Sequence, residues 1–73
     1  MTVRQKEVLE YIIEFKKTNG YSPSVKEIMR GVNTNSVNYV TEALNRLRDE
    51  QYITFKDKAS RTINVIRFPK DDQ

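Results

Sequence analysis

Apolar side chains recur every three or four residues in three stretches of the chain, which is the spacing of amphipathic helices. The first stretch covers residues 1–20, the second begins at Ser24, and the third lies within residues 33–47. Further on, residues 52–55 and 62–68 are rich in β-branched and aromatic side chains, which is typical of short strands. The pattern therefore predicts three helices followed by two strands.

Polar residues mark the ends of the first two helices. Thr2 and Gln5 predict a capping box at the start of the first helix, and Gly20 is a typical helix stop. Ser24 and Glu27 repeat the capping box, and Pro23 biases the residue before it to an extended conformation. The apolar positions expected to face the core are Val8, Leu9, Ile12, Ile13 and Phe15 in the first helix and Val25, Ile28, Met29 and Val32 in the second. Both helices are thus predicted from local signals.

The connection to the third helix is short enough to be a turn. Asn33 can adopt the left-handed conformation that ends a helix, and residues 34–36 supply three candidate N-caps. The third helix then places Val37, Val40, Leu44 and Leu47 on an inward stripe. The two helices and their turn form a predicted helix-turn-helix.

With that stripe inward, the outer face of the third helix is polar. It carries Asn38, Glu42, Asn45 and Arg46, with Tyr39 and Thr41 at its flanks. Side chains of these types read base edges in the DNA major groove, and a helix N-terminus favours a nearby phosphate. An ordinary solvated helix face has a similar composition, so both interpretations remain open at this point.

The two predicted strands lie close in sequence and imply an antiparallel hairpin. Ile53 and Phe55 share one face of the first strand, while Ile63 and Val65 should point inward from the second. Because a lone hairpin is marginal in water, it must pack on the helices. The chain is therefore expected to be α+β, mostly α: a winged helix-turn-helix in which residues 56–61, with three cations and one anion, form the wing. A solvated turn would carry similar charges.

Composition narrows the classes of function. A chain of 73 residues is one small domain, which we expect to cover residues 1–68 with a polar C-terminal tail at 69–73. It has no cysteine or histidine, which excludes disulfides and the usual zinc sites. No Gly-rich phosphate loop or nucleophile-base pair stands out, so we expect neither an enzyme nor a cofactor or small-molecule substrate.

Charge and hydropathy add two weaker expectations. The net charge of +3 and the pI near 9.3 are compatible with nucleic acid as a partner. No apolar run approaches the length that spans a bilayer, and the N-terminus lacks the apolar core of a signal peptide. We therefore expect a soluble cytoplasmic protein without a membrane partner.

Five blocks of sequence carry a resemblance to a known family. They are R-Q-x-E-V-L-x-Y-I (Arg4 to Ile12), N-G-Y-S-P-S-V-K-E-I (Asn19 to Ile28), L-x-x-L (Leu44 to Leu47), Y-I-T (Tyr52 to Thr54) and S-R-T-I-x-V (Ser60 to Val65). Over residues 2–66 the chain resembles the N-terminal DNA-binding domain of LexA, the bacterial SOS-response repressor. The second block is the most specific.

The resemblance implies a winged helix-turn-helix that reads an operator half-site in double-stranded DNA with its third helix. The positions that match the family's base-reading residues are Ser36, Asn38, Tyr39, Thr41 and Glu42. The wing positions that match its backbone contacts are Lys56, Lys58, Ser60 and Arg61, and we add Arg46 from the basic tail of the third helix. The implied function is transcriptional regulation, as a repressor, in the nucleoid of a bacterial cell.

Three departures from the family pattern modify this expectation. Tyr39 and Thr41 replace the familiar small and acidic residues, which predicts a different operator sequence. Gln51 stands where a glycine usually ends the third helix, which predicts a costly helix exit. No self-cleaving second domain follows, so the resemblance implies neither protease activity nor the family's dimer interface.

Two further expectations concern the state of the protein. The initial methionine and the charged tail favour a natural small protein, for example from a phage, although an excised domain would also fit. A single half-site reader should bind weakly and with strong salt dependence. Self-association, a protein partner or paired sites should strengthen its binding.

A protein-interaction module on the same fold is the second hypothesis, since fold does not determine function. Tyr39 favours this hypothesis, because large exposed aromatic residues are common interface anchors. The target would then be a host protein regulated by a phage or other mobile element. Binding or failure to bind duplex DNA distinguishes the two hypotheses.

Overall fold

The computed structural model describes residues 2–56 and 61–68, and within them three helices precede a two-stranded sheet. The helices are α1 (Val3–Asn19), α2 (Val25–Gly31) and α3 (Val37–Asp49), and the strands are β1 (Ile53–Thr54) and β2 (Asn64–Val65). The strands are antiparallel, with Ile53 opposite Val65 and Thr54 opposite Asn64. The predicted α+β, mostly helical winged helix-turn-helix is confirmed.

Helices α1 and α2 both begin with the predicted capping box. The Gln5 N–H donates to Thr2 Oγ1 at 3.1 Å, while the Thr2 N–H donates to Gln5 Oε1 at 2.8 Å. The corresponding distances between Ser24 and Glu27 are 3.3 and 2.9 Å. Gly20 ends α1 at a φ of 81°, where the absence of a Cβ avoids strain. Local hydrogen bonds therefore set the starts of α1 and α2, and a left-handed glycine sets the end of α1.

The turn between α2 and α3 also follows the predicted signals. Asn33 has a φ of 61°, the left-handed conformation that ends a helix. The Thr34 N–H donates to the Met29 carbonyl at 2.9 Å, which closes the end of α2. Ser36 is the N-cap of α3, since its Oγ accepts from the Tyr39 N–H at 3.2 Å. These contacts fix the direction in which α3 starts.

One core receives side chains from all three helices and from the hairpin. Its buried members are Val8, Leu9, Ile12, Ile28, Val40, Ala43, Leu44, Leu47, Tyr52, Ile53 and Ile63. Burying one large aliphatic side chain contributes about 1.5–3 kcal/mol before the entropy of ordering is subtracted. Because α3 supplies four of these residues from one face, its opposite face is turned to solvent.

The prediction that Val37 faces the core is wrong. Val37 is 53% exposed, whereas Val40 is fully buried. Val37 is the first residue of α3, and the fully buried residues of this helix begin at Val40. The N-terminal residue of α3 therefore lies clear of the core.

The hairpin forms where it was predicted, but its strands are shorter than residues 52–55 and 62–68. Beyond the two paired positions the hydrogen bonds leave the ladder. The Tyr52 carbonyl accepts from both the Ile66 and the Arg67 N–H groups, at 2.8 and 3.2 Å. The predicted inward positions hold, with Ile63 buried and Val65 half-buried.

The chain leaves α3 in the left-handed conformation that was expected at Gln51, where the family usually has a glycine. Gln51 has a φ of 65°, and the Tyr52 N–H donates to the Leu47 carbonyl at 2.9 Å. A side chain with a Cβ loses about 1–2 kcal/mol in this left-handed region. The fold therefore tolerates a strained residue at the point where the chain leaves α3 for β1.

None of the helices in the described part of the chain is long and apolar enough to cross a membrane.

Candidate nucleic-acid interface

The outer face of α3 presents the predicted row of polar side chains. Asn38, Glu42, Asn45 and Arg46 are all exposed, and Thr41 at the flank is half-buried. Within the described residues, the Asn38 side-chain amide makes no hydrogen bond. It therefore keeps both its donor and its acceptor for a ligand, which is what recognition of a base edge requires.

The hydroxyl groups on this face bond to the backbone of α3 itself. Ser36 Oγ accepts the N-cap hydrogen bond, and Thr41 Oγ1 lies 3.5 Å from the Asn38 carbonyl, a long donor–acceptor distance. Ser36 is exposed, and its O–H can still donate while its oxygen accepts. It is thus the hydroxyl better placed to meet a base or a phosphate.

Tyr39 is not the freely exposed aromatic residue that was predicted. It is half-buried, and its hydroxyl donates to Glu7 Oε1 at 2.9 Å. The guanidinium carbon of Arg4 lies 4.6 Å from the centroid of the Tyr39 ring. The bond to the Glu7 carboxylate raises the pKa of the Tyr39 hydroxyl, because it favours the protonated form. The exposure that favoured a protein-interaction module is therefore only partial.

Glu42 is paired with the first helix rather than standing alone. Arg4 Nη1 donates to Glu42 Oε1 at 2.9 Å, with 44% of the Arg4 and 67% of the Glu42 side chain exposed. An exposed pair of this kind contributes about 0–1 kcal/mol to stability. Because the bond uses Oε1, Oε2 remains available to a donor such as the amino group of cytosine.

Two of the predicted backbone contacts are exposed cations in the structure. Arg46 lies on the outer face of α3, and Lys56 follows β1 at the base of the wing. The Lys56 N–H donates to Thr62 Oγ1 at 2.9 Å, which ties that base together. Lys58 and Ser60 lie outside the described residues.

Arg61, also predicted to contact phosphate, is engaged within the domain. Its Nη1 and Nη2 donate to the two carboxylate oxygens of Glu27 at 2.9 and 3.1 Å, and Nη1 lies 3.2 Å from the Ser22 carbonyl. Its guanidinium carbon lies 4.8 Å from the centroid of the Tyr21 ring. Ser22 Oγ donates back to the Arg61 carbonyl at 3.1 Å. We call Tyr21, Ser22, Glu27 and Arg61 the wing clamp.

The wing clamp fixes the end of the wing against the start of α2. The Arg61 guanidinium holds the pKa of the Glu27 carboxyl below its usual range, and Glu27 in turn raises the pKa of Arg61. Arg61 adopts a left-handed φ of 58° in this arrangement. A bidentate arginine–carboxylate pair has fixed geometry, so it orients the wing as well as attaching it.

Sequence reasoning missed the partner residues on α1 and α2. Arg4 and Glu7 are ordinary surface charges in the helical pattern of α1, and Glu27 was already assigned to a capping box. Their partners lie 38, 32 and 34 residues away along the chain, which no local periodicity reveals. A search for charges of opposite sign on facing helices could have suggested the Arg4–Glu42 pair.

A helix-turn-helix that exposes a polar face, followed by a two-stranded wing, defines this chain as a winged helix-turn-helix domain. Residues 1–62 match the family model of the LexA DNA-binding domain, and the chain belongs to that family. The resemblance predicted from five sequence blocks is confirmed.

Individual relatives agree with the family match. The chain is 35% identical over 72 residues to the LexA repressor of Staphylococcus epidermidis, covering 99% of this chain and 35% of that protein. It is 32% identical to the LexA repressor of Herpetosiphon aurantiacus and 27% identical to the transcription regulator LexA of Synechocystis sp., over 90% of this chain and 31% and 32% of those proteins. The chain thus spans about a third of the length of these relatives. The family and the relatives' names point to a regulator rather than an enzyme.

Proposed function

We propose that this domain binds double-stranded DNA at a specific sequence and regulates transcription, as a repressor that reads an operator half-site. The observation that carries the proposal is the row of exposed hydrogen-bonding side chains on α3, in a domain of a DNA-binding family. The names of the relatives, repressor and transcription regulator, support the regulatory role. In this family of folds the second helix of the helix-turn-helix lies in the major groove.

Base reading is assigned to the first half of α3. The exposed amide of Asn38 can form a bidentate pair with adenine, and Glu42 Oε2 can accept from the amino group of cytosine. Ser36 lies at the start of the helix, where its hydroxyl can meet a base or a phosphate. Tyr39 and Thr41 complete the reading surface through apolar contact with a thymine methyl group, since the Tyr39 hydroxyl is bonded to Glu7.

Backbone contacts are assigned to the end of α3 and to the wing. Arg46, Lys56 and Lys58 would each neutralise a phosphate, and the Ser60 hydroxyl would donate a hydrogen bond to one. Arg61 would contribute mainly by holding the wing in place, because Glu27 already neutralises its charge. Such contacts fix the register of the protein on the duplex but do not read its sequence.

The proposed unit is a domain at residues 1–68 with a polar tail at 69–73, acting in the bacterial cytoplasm on the nucleoid. One copy covers one half-site, and a palindromic operator offers two. We therefore expect weak binding by one chain and stronger binding when two chains, or a chain and a partner protein, occupy paired sites. The replacement of family residues by Tyr39 and Thr41 supports an operator that differs from an SOS box.

Selection from a randomised duplex pool tests the proposal. The purified chain is titrated by fluorescence anisotropy at low and moderate salt, and the retained DNA is sequenced. Enrichment of one motif, above all a paired one, is the expected result. Salt-sensitive binding without a motif would leave only electrostatic attraction to DNA, and absence of binding at low salt would contradict the proposal altogether.

A further inference from the structure

Four charged or aromatic side chains join the start of α1 to the reading face of α3. Arg4 and Glu7 come from α1, and Tyr39 and Glu42 come from α3. Arg4 bonds to Glu42 and lies over the Tyr39 ring, while the Tyr39 hydroxyl bonds to Glu7. We call these four residues the α1–α3 bridge. The bridge connects both of its α3 members to a helix outside the helix-turn-helix.

Glu42 needs a cation nearby if it is to face DNA. An unpaired carboxylate on a reading helix is repelled by the phosphates on either side of the groove. Arg4 donates to one carboxylate oxygen at 2.9 Å, which offsets that repulsion and fixes the direction of the other oxygen. The fixed oxygen can then distinguish a base that donates a hydrogen from one that does not.

Two contacts with α1 hold the Tyr39 side chain, one at the ring and one at the hydroxyl. The Arg4 guanidinium lies against the ring face, and the bond to Glu7 fixes the hydroxyl at the far end. An aromatic side chain held in this way presents one constant edge to a ligand, whereas an unheld one would rotate. A base that contacts Tyr39 would therefore meet a rigid surface.

We propose that Arg4 and Glu7 are positioning residues that set the base preference of Glu42 and Tyr39. The inference rests on the proposed DNA-reading function and assigns part of its specificity to α1. Stabilisation of the fold is a weaker explanation of the Arg4–Glu42 pair, because 44% of the Arg4 and 67% of the Glu42 side chain is exposed and exposed ion pairs stabilise folds little.

A cycle of variants tests the role of Arg4. Arg4→Gln, Glu42→Gln and the double variant are carried through the duplex selection beside the unmodified chain. Lys17→Gln, which removes the same charge from the exposed far end of α1, is the matched control. Thermal unfolding of each variant confirms that it is folded.

We expect Arg4→Gln to reduce discrimination at the base pair read by Glu42 by about threefold or more, a coupling typical of residues in contact. In the Glu42→Gln background, the same change should leave the preference at that base pair unaltered. Lys17→Gln should weaken binding to all sequences equally and leave the selected motif unchanged. A structural role for Arg4 would not move the preference at one base pair.

A second pair of variants tests Glu7. Glu7→Gln keeps an oxygen that accepts from the Tyr39 hydroxyl, so the motif should be retained. Glu7→Ala removes that acceptor and should broaden the preference at the base pair beside Tyr39. If the unmodified chain selects a motif that Arg4→Gln and Glu7→Ala both leave intact, the positioning role is overturned while DNA reading stands. If the unmodified chain selects no motif, DNA reading fails and this inference fails with it.

Discussion

Single residues on α3 divide into those that are free to meet DNA and those that are already bonded within the domain. Asn38 is exposed and its amide makes no hydrogen bond to the residues that the structure describes, whereas Tyr39 and Glu42 are held by α1. Lys56 is an exposed cation at the base of the wing. Replacement of the exposed amide on α3 and replacement of the exposed cation at the wing should therefore have different consequences.

Asn38→Ala should lower affinity for the selected motif and relax the preference at one base pair, because a good bidentate pair with a base is worth about 1–3 kcal/mol. Lys56→Ala should weaken binding to the motif and to unrelated sequences by the same factor. Competition titrations of both variants against the motif and a scrambled duplex measure the two effects. If Asn38→Ala lost the same affinity for both duplexes, the base-reading role would be contradicted.

Gln51 offers a test at a residue far from the reading surface. Gln51→Gly should raise the free energy of unfolding by about 0.5–1 kcal/mol, since relief of left-handed strain exceeds the added entropy of the unfolded chain. Gln51→Ala keeps the strain and should bring no such gain. Urea unfolding monitored by circular dichroism compares the three proteins, and an unchanged or lower midpoint for Gln51→Gly would show that Gln51 is not strained.

At the scale of elements, the sequence predicted what local chemistry controls. Both capping boxes and the left-handed Asn33 depend on residues at most three positions apart, and all of them are present. The strands were predicted too long because β-propensity does not show where a partner strand diverges. The bridge and the wing clamp were not predictable in this way, because their residues meet only after the helices pack.

The wing clamp makes stability depend on pH. The folded-state pKa of Glu27 lies below its ordinary value of 4.5, chiefly because Arg61 donates to the carboxylate. The clamp's contribution is therefore complete above that ordinary value and is lost as pH falls through the lower folded-state pKa. Acid should loosen the attachment of the wing.

Glu27→Gln retains a side-chain oxygen for the capping box but removes the charge that Arg61 pairs with. When the pH is lowered from about 5 to about 3, the melting temperature of this variant should fall less than that of the unmodified chain. Glu10→Gln, at an exposed position on α1, is the control and should behave like the unmodified chain. Parallel acid dependence in all three proteins would show that the pair adds nothing to stability.

For the molecule as a whole, affinity for DNA should follow the number of phosphates neutralised. Arg46, Lys56 and Lys58 are the proposed cationic contacts, since the charge of Arg61 is paired with Glu27. A plot of log affinity against log salt should therefore have a slope of roughly −3. Lys56→Ala should reduce the magnitude of that slope by about one. Anisotropy titrations at several salt concentrations give both values, and a slope near zero would contradict backbone binding through these cations.

The wing clamp also has a consequence for the order of folding events. Ser22 and Arg61 are 39 residues apart in the chain, so their contact closes a long loop and should form after the helices have packed. Glu27→Gln should then speed unfolding while leaving the refolding rate nearly unchanged, which stopped-flow urea jumps would measure. In native-state hydrogen exchange, the Ile66 and Arg67 amides would lose protection before those of α1. The domain would open by releasing its hairpin first, with the three helices still assembled.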